Sequence, residues 1–555
     1  MEVLWTVSLS SATESCNAAA TAHQIVYDAN QQWLCSCSQD NSLTWHVHEW
    51  LQQLDRCSQY AEPELEKLLT TDMTAWKRKL LLEQMGFADQ QNNVSVNDFE
   101  NAYNDMATVS AKALELATIV QALLRSELPC INPDWKTEAL NKCQHIIQFI
   151  HGQIRKQLSK ALVVIEQPPN PLKQAKIFDT SVRLLSCGPF LENANNNVEV
   201  HVESFENAHK MCESENTLEN KTAPLAVEEN DSKKIIAQFS KMKITSIEDR
   251  KKKKNWQRRA GRISKKNEVI KKKVVEKSFV LRYDISNSSY GDIENIEIQT
   301  YSEPFFYYLH ANQECFATAL AFWKSVLLLA DAQGNSDVYD TEDFHISWPF
   351  FEIALSSFFK KTLGTDRCLL PVHLKNIGSK LFGHIPSAED KVSFNKMAKQ
   401  ELPKMKKITF WEWFYKAMHL IKTKPVLNVW NNGWFFGFIS RSEAKDILCS
   451  YPDSSFLFRI SETRLGAMSL VAWKPQQDKI EHLDPFNAED LVKIPLKTIE
   501  CQEMQSVMHL ISLERTSIPK VNVLDALKRE AGMNEVSDSE ESYVYRTWRH
   551  LSSLF

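Results

Sequence analysis

The amino-acid sequence predicts a multidomain α+β protein in which a helical bundle, a β domain, a helical connector and a second sheet-containing domain follow one another. Three observations support this interpretation. At 555 residues the chain is too long for one hydrophobic core. Apolar residues spaced by three and four give way to β-like fragments after Pro168. Further along, Arg459 stands inside an otherwise apolar strand pattern, where a charge is costly to bury without an anion.

The bulk composition indicates a water-soluble protein that stays inside the cell. No apolar run approaches the ~18 residues needed to span a bilayer, so we predict no membrane insertion. Residues 1–5 lack the basic start and long apolar core of a secretory signal. The twelve cysteines follow no framework spacing, which is typical of reduced thiols. These features favour the cytoplasm and the nucleus.

Neither a metal site nor an enzyme is predicted. Cys35 with Cys37 and His46 with His48 are each separated by one residue, which does not match the usual spacing of zinc ligands. The chain contains no P-loop, zinc-protease, serine-hydrolase or kinase signature. We therefore expect no catalytic residue and no cofactor.

The first half of the chain begins with helices. Residues 1–60 carry no clear pattern and remain unassigned, whereas residues 61–167 are predicted to form a coiled-coil helical bundle. A heptad seam in this bundle consists of Phe99, Ala102, Met106, Val109, Ala113, Leu116, Val120 and Leu123. A further helix after Pro133 carries one apolar stripe of Cys143, Ile147, Ile150, Ile154 and Leu158.

Residues 168–311 are predicted to form a β domain, because strand-like fragments at 177–184 and 277–283 are separated by polar segments. Within it, residues 203–233 are acidic and poor in apolar side chains, so we predict a surface loop there.

A strongly basic segment lies in this β domain. Residues 250–277 contain fourteen Lys or Arg against two Glu, a local charge of +12 in a chain of net charge −5. The segment is interpreted as a solvated loop, a nuclear import signal or a DNA contact. Lysines would neutralise phosphates, while Arg259 or Arg262 could reach a guanine edge. The candidate residues are Lys251, Lys252, Lys253, Lys254, Arg258, Arg259, Arg262, Lys265 and Lys266.

Residues 312–429 are predicted to form a compact helical connector. The clearest amphipathic stripe in it consists of Phe410, Trp413, Phe414, Ala417 and Ile421.

Residues 430–530 contain the candidate anion site. Arg459 could be an edge-strand residue that reaches solvent, but its apolar neighbours favour a central strand buried on both faces. A guanidinium there would bind a phosphate through paired hydrogen bonds, with hydroxyls and a second cation beside it. The site resembles the phosphotyrosine pocket of a Src-homology-2 (SH2) domain. Its candidate residues are Arg459, Arg441, Ser461, Glu462 and Thr463.

The order of these domains resembles that of the STAT family, the signal transducers and activators of transcription. Specific sequence motifs support the resemblance, which covers about residues 65–550 and is strongest after residue 400. They are Val-Val-Ile-Glu-Gln-Pro at 163–168, Trp-Glu-Trp at 411–413, Val-Trp-Asn-Asn-Gly at 429–433, Gly-Phe-Ile-Ser-Arg at 437–441, Phe-Leu-Phe-Arg-Ile-Ser-Glu-Thr at 456–463 and Gly-Ala-Met-Ser-Leu-Val-Ala-Trp at 466–473.

The resemblance implies an immunoglobulin-like DNA-binding domain and a signal-responsive dimeric transcription factor. A tail tyrosine would be phosphorylated by a tyrosine kinase, acting directly or at a phosphorylated receptor. The phosphotyrosine would then insert into the Arg459 pocket of a second copy. In the acidic tail, 531–555, Tyr543 fits the family pattern best because an aliphatic residue follows it, and Tyr545 is its rival. Reciprocal exchange makes a two-fold homodimer, which implies an inverted-repeat DNA site.

A further DNA contact is implied at the end of the strand near residues 303–312. The family places a base-contacting asparagine there; ungapped alignment puts His310 at that position, and Asn312 matches only with a two-residue shift.

The sequence departs from the family at both ends, and two other functions remain open. We find no counterpart of the N-terminal interaction domain, which suggests a short form. Ten residues follow Tyr545, so activation is expected to use a coactivator bound to the coiled coil or to another surface. A phosphotyrosine-dependent adaptor or scaffold without regulated DNA binding is the main alternative. A DNA-binding protein that dimerises without phosphorylation is the other.

Overall fold

The computed structural model describes residues 40–84, 96–126, 132–185, 197–205, 217–228, 231–246, 277–290, 292–330, 344–403, 405–487, 504, 506–523 and 525. The chain divides into two compact units, 1–84 with 88–321 and 85–87 with 322–555. Both helices and sheets are present in each, so the predicted mixed α+β architecture is confirmed.

Four helices form the first part of the first unit that the structure describes. These are α1 Asp40–Lys67, α2 Met73–Gln84, α3 Val96–Arg125 and α4 Pro133–Ser159, with a π-helical turn, Leu68–Asp72, between α1 and α2. Helix α1 starts at Asp40, well before residue 61, where the sequence analysis places the start of the helical bundle. Polar residues and the internal Pro63 weaken the apolar pattern of α1, so this helix was missed.

The predicted seam of α3 is correct in its first half and shifts in its second. Phe99, Met106 and Val120 are buried as expected. Four seam positions are only partly buried, namely Val109, Ala113, Leu116 and Leu123. Buried positions outside the seam include Tyr103, Ala107, Ala117 and Leu124. A straight helix repeats every 3.6 residues and drifts away from a strict heptad, so the buried stripe moves around the helix. In α4, Ile146 is buried and Ile147 is partly exposed.

By length and mean hydropathy alone, Phe99–Arg125 within α3 is apolar enough to cross a membrane. The sequence analysis considered uninterrupted apolar runs and did not identify this segment, because polar residues interrupt the helix. Core helices of soluble proteins meet the same criteria, and α3 packs against α4. Gln157 donates through Nε2 to the Tyr103 carbonyl at 3.0 Å, and Cys143 Sγ lies 3.3 Å from the Ala117 carbonyl oxygen.

The rest of the first unit is built from two sheets. The strands are β1 Leu162–Glu166, β2 Leu172–Lys173, β3 Phe178–Leu184, β4 Asn197–Ser204, β5 Thr217–Glu219, β6 Thr222–Pro224, β7 Ala226–Glu228, β8 Asp231–Ser246, β9 Ser278–Tyr290, β10 Ile293–Tyr301 and β11 Phe305–Tyr308. One sheet has the order β1-β3-β8-β5, with β7 also on β8. The other has the order β2-β11-β9-β4-β6, with β10 also on β9. Their inner faces share one core with the helices.

The prediction of a surface loop at residues 203–233 is wrong for the part of this range that the structure describes. Strands β5, β6 and β7 lie in this region, and β8 begins at Asp231. Strands of three residues are too short for an alternating pattern to show, and at a sheet margin their side chains can remain polar.

The second unit contains the helical connector. Its helices are α5 Glu314–Ala330, which starts in the first unit, α6 Trp348–Leu363, α7 Pro371–Phe382, α8 Phe410–Lys422 and α9 Lys424–Asn431. Short strand pairs join β12 Ile346–Ser347 to β13 Lys391–Val392 and β14 Glu401–Leu402 to β15 Met405–Thr409. All five residues of the predicted α8 stripe are buried, which confirms the amphipathic helix.

A sheet-containing domain follows the connector. Helix α10 spans Arg441–Cys449. The strands are β16 Ser455–Ile460, β17 Ala467–Lys474, β18 Lys479–His482, β19 Phe486–Asn487, β20 His509–Ile511 and β21 Ser517–Pro519. Their order is β18-β17-β16-β20-β21, with β19 also on β17. Strand β16 is therefore central, as predicted.

A buried histidine joins the connector to this sheet domain. His373 of α7 accepts a hydrogen bond at Nδ1 from the Leu370 N–H at 3.2 Å, and its ring lies beside those of Trp430 and Phe438. Burial, together with the nearby positive charge of Arg367, lowers the pKa of His373 to about 4, although a hydrogen bond to the Phe436 backbone opposes the shift. The folded protein therefore holds the imidazole neutral.

This pKa makes stability depend on pH. The unfolded chain, with a histidine pKa near 6.5, binds the proton more readily, so stability is constant above that pH and falls as the pH drops toward 4. At pH 5 the loss is about 2 kcal/mol relative to pH 7. His373→Asn keeps an acceptor for Leu370 N–H but cannot titrate, so its urea midpoint should change less between pH 7 and pH 5. An unchanged pH difference in the variant would contradict this assignment.

Candidate functional site

Arg459 lies in the middle of the most buried strand of its sheet. All six residues of β16 are buried, and the Arg459 side chain is 1% exposed. Arg459 pairs with Ser469 of β17, and Leu457 pairs with Val471, so these side chains share one face of the sheet. Helix α10 packs on the apolar part of that face. The sequence prediction of a buried, central strand is confirmed.

Backbone carbonyls hold the Arg459 guanidinium in place. Nη1 donates to the carbonyl oxygens of Ile439 at 3.2 Å and of Ile460 at 3.0 Å. The Arg459 Nε is buried and has no protein partner. Burial lowers the pKa of Arg459, and the Glu462 carboxylate opposes this effect. The guanidinium thus has hydrogen-bonding capacity left for an anion.

The carbonyl cradle depends on a left-handed turn before α10. Gly437 has φ +63°, and its carbonyl accepts hydrogen bonds from the N–H groups of Ile439 and Ile460. A Cβ at Gly437 would lie 2.7 Å from Cζ3 of Trp430, inside any normal contact distance. Glycine is therefore required here by both backbone angle and space.

Helix α10 presents Arg441 and its own N-terminus to the pocket. Ser440 is the N-cap, and its hydroxyl accepts a hydrogen bond from the Glu443 N–H at 3.2 Å. The Glu443 carboxylate accepts in return from the Ser440 N–H at 2.9 Å and from Asn376 Nδ2 at 2.8 Å. This capping box fixes the start of the helix, where backbone N–H groups favour an anion.

Glu462 joins the two arginines. Its Oε1 accepts a hydrogen bond from the Arg441 backbone N–H at 3.0 Å and lies 3.4 Å from Arg459 Nη1. Its Oε2 lies 3.9 Å from Arg441 Nε. The anion in this pocket is therefore a carboxylate of the chain itself.

The two predicted hydroxyls lie on the loop after β16. Ser461 Oγ accepts from the N–H groups of Thr463 at 3.3 Å and Arg464 at 3.1 Å, and it lies 3.3 Å from Thr463 Oγ1. The structure thus brings all five predicted pocket residues together. With its lone pairs engaged, Ser461 keeps a hydroxyl proton that it can donate to an anion.

Sequence reasoning missed His482, at the end of β18. His482 pairs with Val471, so it lies on the same sheet face as Arg459, and it remains solvent-accessible. Partial burial lowers its pKa, as do the positive charges of Arg441 and Arg459. The alternation of β17 and β18 around their hairpin could have placed this histidine beside the arginine.

A second candidate site lies at one edge of the β domain. His310 and Asn312 are exposed just after β11, where the Gln313 side chain accepts hydrogen bonds from the Leu309 and His310 N–H groups. Residues 172–176 lie beside them, because the Gln174 N–H donates to the Tyr308 carbonyl at 2.9 Å.

The end of β8 belongs to the same edge. Gln174 Nε2 donates to the Thr245 carbonyl at 3.2 Å. Strand β9 begins at Ser278, which pairs with Phe306 of β11. The described residues on either side of the basic segment, Thr245 in β8 and Ser278 in β9, therefore lie at the same sheet edge as β11, which His310 and Asn312 follow. Two exposed lysines that the sequence reasoning did not single out, Lys173 and Lys176, lie in the neighbouring turn.

Several predicted site residues lie outside the described part of the chain. They are the phosphorylation candidates Tyr543 and Tyr545 and the basic-segment residues Lys251, Lys252, Lys253, Lys254, Arg258, Arg259, Arg262, Lys265 and Lys266.

Three family models match the chain in the order that the sequence predicts. Residues 166–306 match the STAT protein DNA-binding domain, residues 338–414 match the linker domain of signal transducers and activators of transcription, and residues 434–513 match the SH2 domain. The immunoglobulin-like β domain, the linker and the SH2 domain of the predicted fold class are thereby confirmed.

Curated proteins with similar sequences carry the corresponding names. "Signal transducer and activator of transcription 1" of Caenorhabditis briggsae is 25% identical over 469 residues, and the protein of that name in Caenorhabditis elegans is 24% identical over 469 residues. Each alignment covers 80% of this chain and 64% of the nematode protein. "Signal transducer and transcription activator" of Anopheles gambiae is 25% identical over 419 residues, 72% of this chain and 53% of its own length. The chain thus spans less than two thirds of these relatives.

Proposed function

This chain belongs to the STAT family, and from that premise we propose that it is a signal-responsive transcription factor that binds phosphotyrosine at Arg459, dimerises and binds DNA. The observation that carries the proposal is the buried Arg459 guanidinium, held by two carbonyls beside a helix N-terminus and a second arginine. Proteins rarely bury such a charge without an anionic partner.

The geometry of the pocket suits a phosphate monoester. A phosphotyrosine carries nearly two negative charges and three acceptor oxygens. Arg459 can supply its free Nε–H, Arg441 its guanidinium and backbone N–H, and Ser461 and Thr463 their hydroxyls. His482 adds a titratable side chain, whose charge responds to the ligand. This donor set exceeds what a carboxylate ligand needs, which favours phosphate over a simple acidic peptide.

The ligand that we propose is the tail of a second copy, phosphorylated at Tyr543 or, as the rival site, at Tyr545. A tyrosine kinase, acting directly or at a phosphorylated receptor, would supply the phosphate. Reciprocal insertion of two tails makes a two-fold homodimer, and two symmetric β domains then fit an inverted-repeat DNA site. The protein would act between cytoplasm and nucleus, with a coactivator bound to the helical bundle, and it would have no catalytic role.

The edge formed by residues 172–176, the ends of β8 and β11 and the start of β9 is the proposed DNA surface. Its exposed side chains include two lysines, a histidine and an asparagine, and the segment of charge +12 adjoins it in sequence. His310 and Asn312 are the candidates for base contact, whereas Lys173 and Lys176 are placed to neutralise phosphates.

The first prediction concerns the pocket. A peptide of residues 537–549, phosphorylated at Tyr543 and with Tyr545 replaced by Phe, should bind the full chain and not bind when unphosphorylated. Arg459→Lys keeps the charge but loses the paired hydrogen bonds, so affinity should fall at least about tenfold, and further in Arg459→Ala. Fluorescence anisotropy measures this.

Arg183→Lys is the matched control. Arg183 is also a strand arginine, but it lies in the first unit, where it forms an ion pair with Glu100. It should leave peptide affinity unchanged. Full affinity in Arg459→Ala would exclude this residue as the phosphate ligand.

The second prediction follows from His482. Its pKa is lowered in the free pocket, whereas a bound phosphate dianion would raise it, so binding takes up a proton. Affinity should therefore rise several-fold as the pH falls from 8 toward 6.5, before phosphate protonation near pH 6 opposes the effect. His482→Gln should flatten this rise, and His509→Gln, at the other end of β16, should not. Isothermal titration at several pH values tests this, and an identical profile in His482→Gln would rule out the role.

The third prediction concerns DNA. In selection from a random library, the chain phosphorylated at Tyr543 should enrich an inverted repeat, and neither the unphosphorylated chain nor Arg459→Ala should do so. Enrichment without phosphate would indicate a phosphorylation-independent DNA-binding protein. No enrichment under any condition would indicate the adaptor.

A salt titration of the selected site tests the proposed surface. Replacing Lys173 and Lys176 by Ala should weaken binding to all sequences alike and reduce the slope of log affinity against log salt by about 2. The paired control is Lys112→Ala with Lys142→Ala on helices α3 and α4, which should change neither quantity.

A further inference from the structure

We propose that Glu462 is a built-in competitor of the phosphate, which occupies the anion position between Arg459 and Arg441 and leaves it when a phosphotyrosine binds. This inference rests on the phosphotyrosine-binding function proposed above and adds the residue that sets its affinity threshold. It differs from the sequence-based interpretation, which counts Glu462 among the groups that contact the ligand.

The contacts of Glu462 are those that a phosphate requires. Its carboxylate engages Arg459 Nη1 at 3.4 Å and the first backbone N–H of α10 at 3.0 Å, with Arg441 Nε 3.9 Å away. Two cationic side chains and a helix N-terminus therefore converge on one internal anion. A phosphate oxygen cannot accept from the same donors while this carboxylate remains there.

The exposure of the two side chains indicates which group moves. Arg459 is only 1% exposed, so an incoming ligand cannot reach it until a neighbour gives way. Glu462 is 40% exposed and lies on the loop that follows β16. Its carboxylate can turn into water without burying any polar group, whereas the carbonyls that hold Arg459 belong to the backbone of the fold. Displacement of Glu462 is therefore the cheapest way to open the pocket.

The exchange sets a threshold for binding. A ligand with one negative charge only replaces the carboxylate contacts that it removes, so it gains little. A phosphate monoester brings a second charge and a third oxygen, and it reaches Arg459 Nε and the loop hydroxyls as well. The cost of moving Glu462 is the same for every anion. Anions with a single negative charge therefore bind too weakly to occupy the pocket, whereas phosphotyrosine still binds.

The test compares two forms of the 537–549 peptide, one with phosphotyrosine and one with sulfotyrosine at 543, on the full chain. Sulfate has a similar shape but a single negative charge. Glu462→Gln keeps the side-chain shape and removes the competing charge, so affinity for both peptides should rise by a similar factor, about tenfold or more. The weaker sulfopeptide is measured as a competitor up to millimolar concentration.

Three controls make the result decisive. Glu481→Gln removes a carboxylate that contacts Lys474 on β17 and Lys479 on its own strand, β18, and it should change neither affinity. Glu462→Ala repeats the test with a second side chain, and thermal unfolding verifies that each variant is folded. Arg459→Ala should abolish binding in the Glu462→Gln background too.

The possible outcomes separate the alternatives. Equal gains for both peptides support displacement. A larger gain for the dianionic phosphopeptide would mean that Glu462 stays in place and acts only through its field, and a loss or no change would mean that it serves the ligand; either result overturns the inference. If the wild-type chain binds neither peptide, or if Arg459→Ala binds as well as wild type, the proposed phosphotyrosine function itself fails.

Discussion

A permanently charged guanidinium in the centre of a buried strand is the constraint on which the second unit depends. Arg459 cannot become neutral at any ordinary pH, so the fold must provide acceptors for it. Two carbonyls and the Glu462 carboxylate do so. The left-handed turn at Gly437 and the capped start of α10 follow from the same requirement, because each places one of the groups around this charge.

The sequence was most informative where one physical demand dominates a short segment. Apolar residues on both sides of Arg459 favour a central strand, and the apolar stripe of α8 favours packing against a hydrophobic core. Both interpretations agree with the structure. Helix α1 and the strands β5, β6 and β7 were missed because their local patterns are polar or too short, so distant partners decide their conformation.

Within the pocket, the sequence identified which residues meet but not how they meet. The five predicted residues lie on β16, the loop after it and the start of α10, yet whether Glu462 contacts a ligand or replaces one depends on which donors its carboxylate engages in the folded chain. Sequence reasoning missed His482 for another reason. Its position beside Arg459 follows from the register across β17, which pairs Val471 with His482, and register is a property of strand pairing that no single segment encodes.

Gly437 ties the connector to the pocket in a way that limits how these parts can be exchanged. Its α-carbon leaves no room for a methyl group against the ring of Trp430, and that tryptophan is anchored in turn by a hydrogen bond from Arg367 Nη1 to its carbonyl at 2.9 Å. The Gly437 turn that shapes the carbonyl cradle of the anion site therefore packs against a residue that precedes the sheet domain. An SH2 cassette excised or transplanted without α7 and α9 would carry its arginine but lose the surface that shapes the cradle, so the smallest portable recognition module in this chain includes the connector.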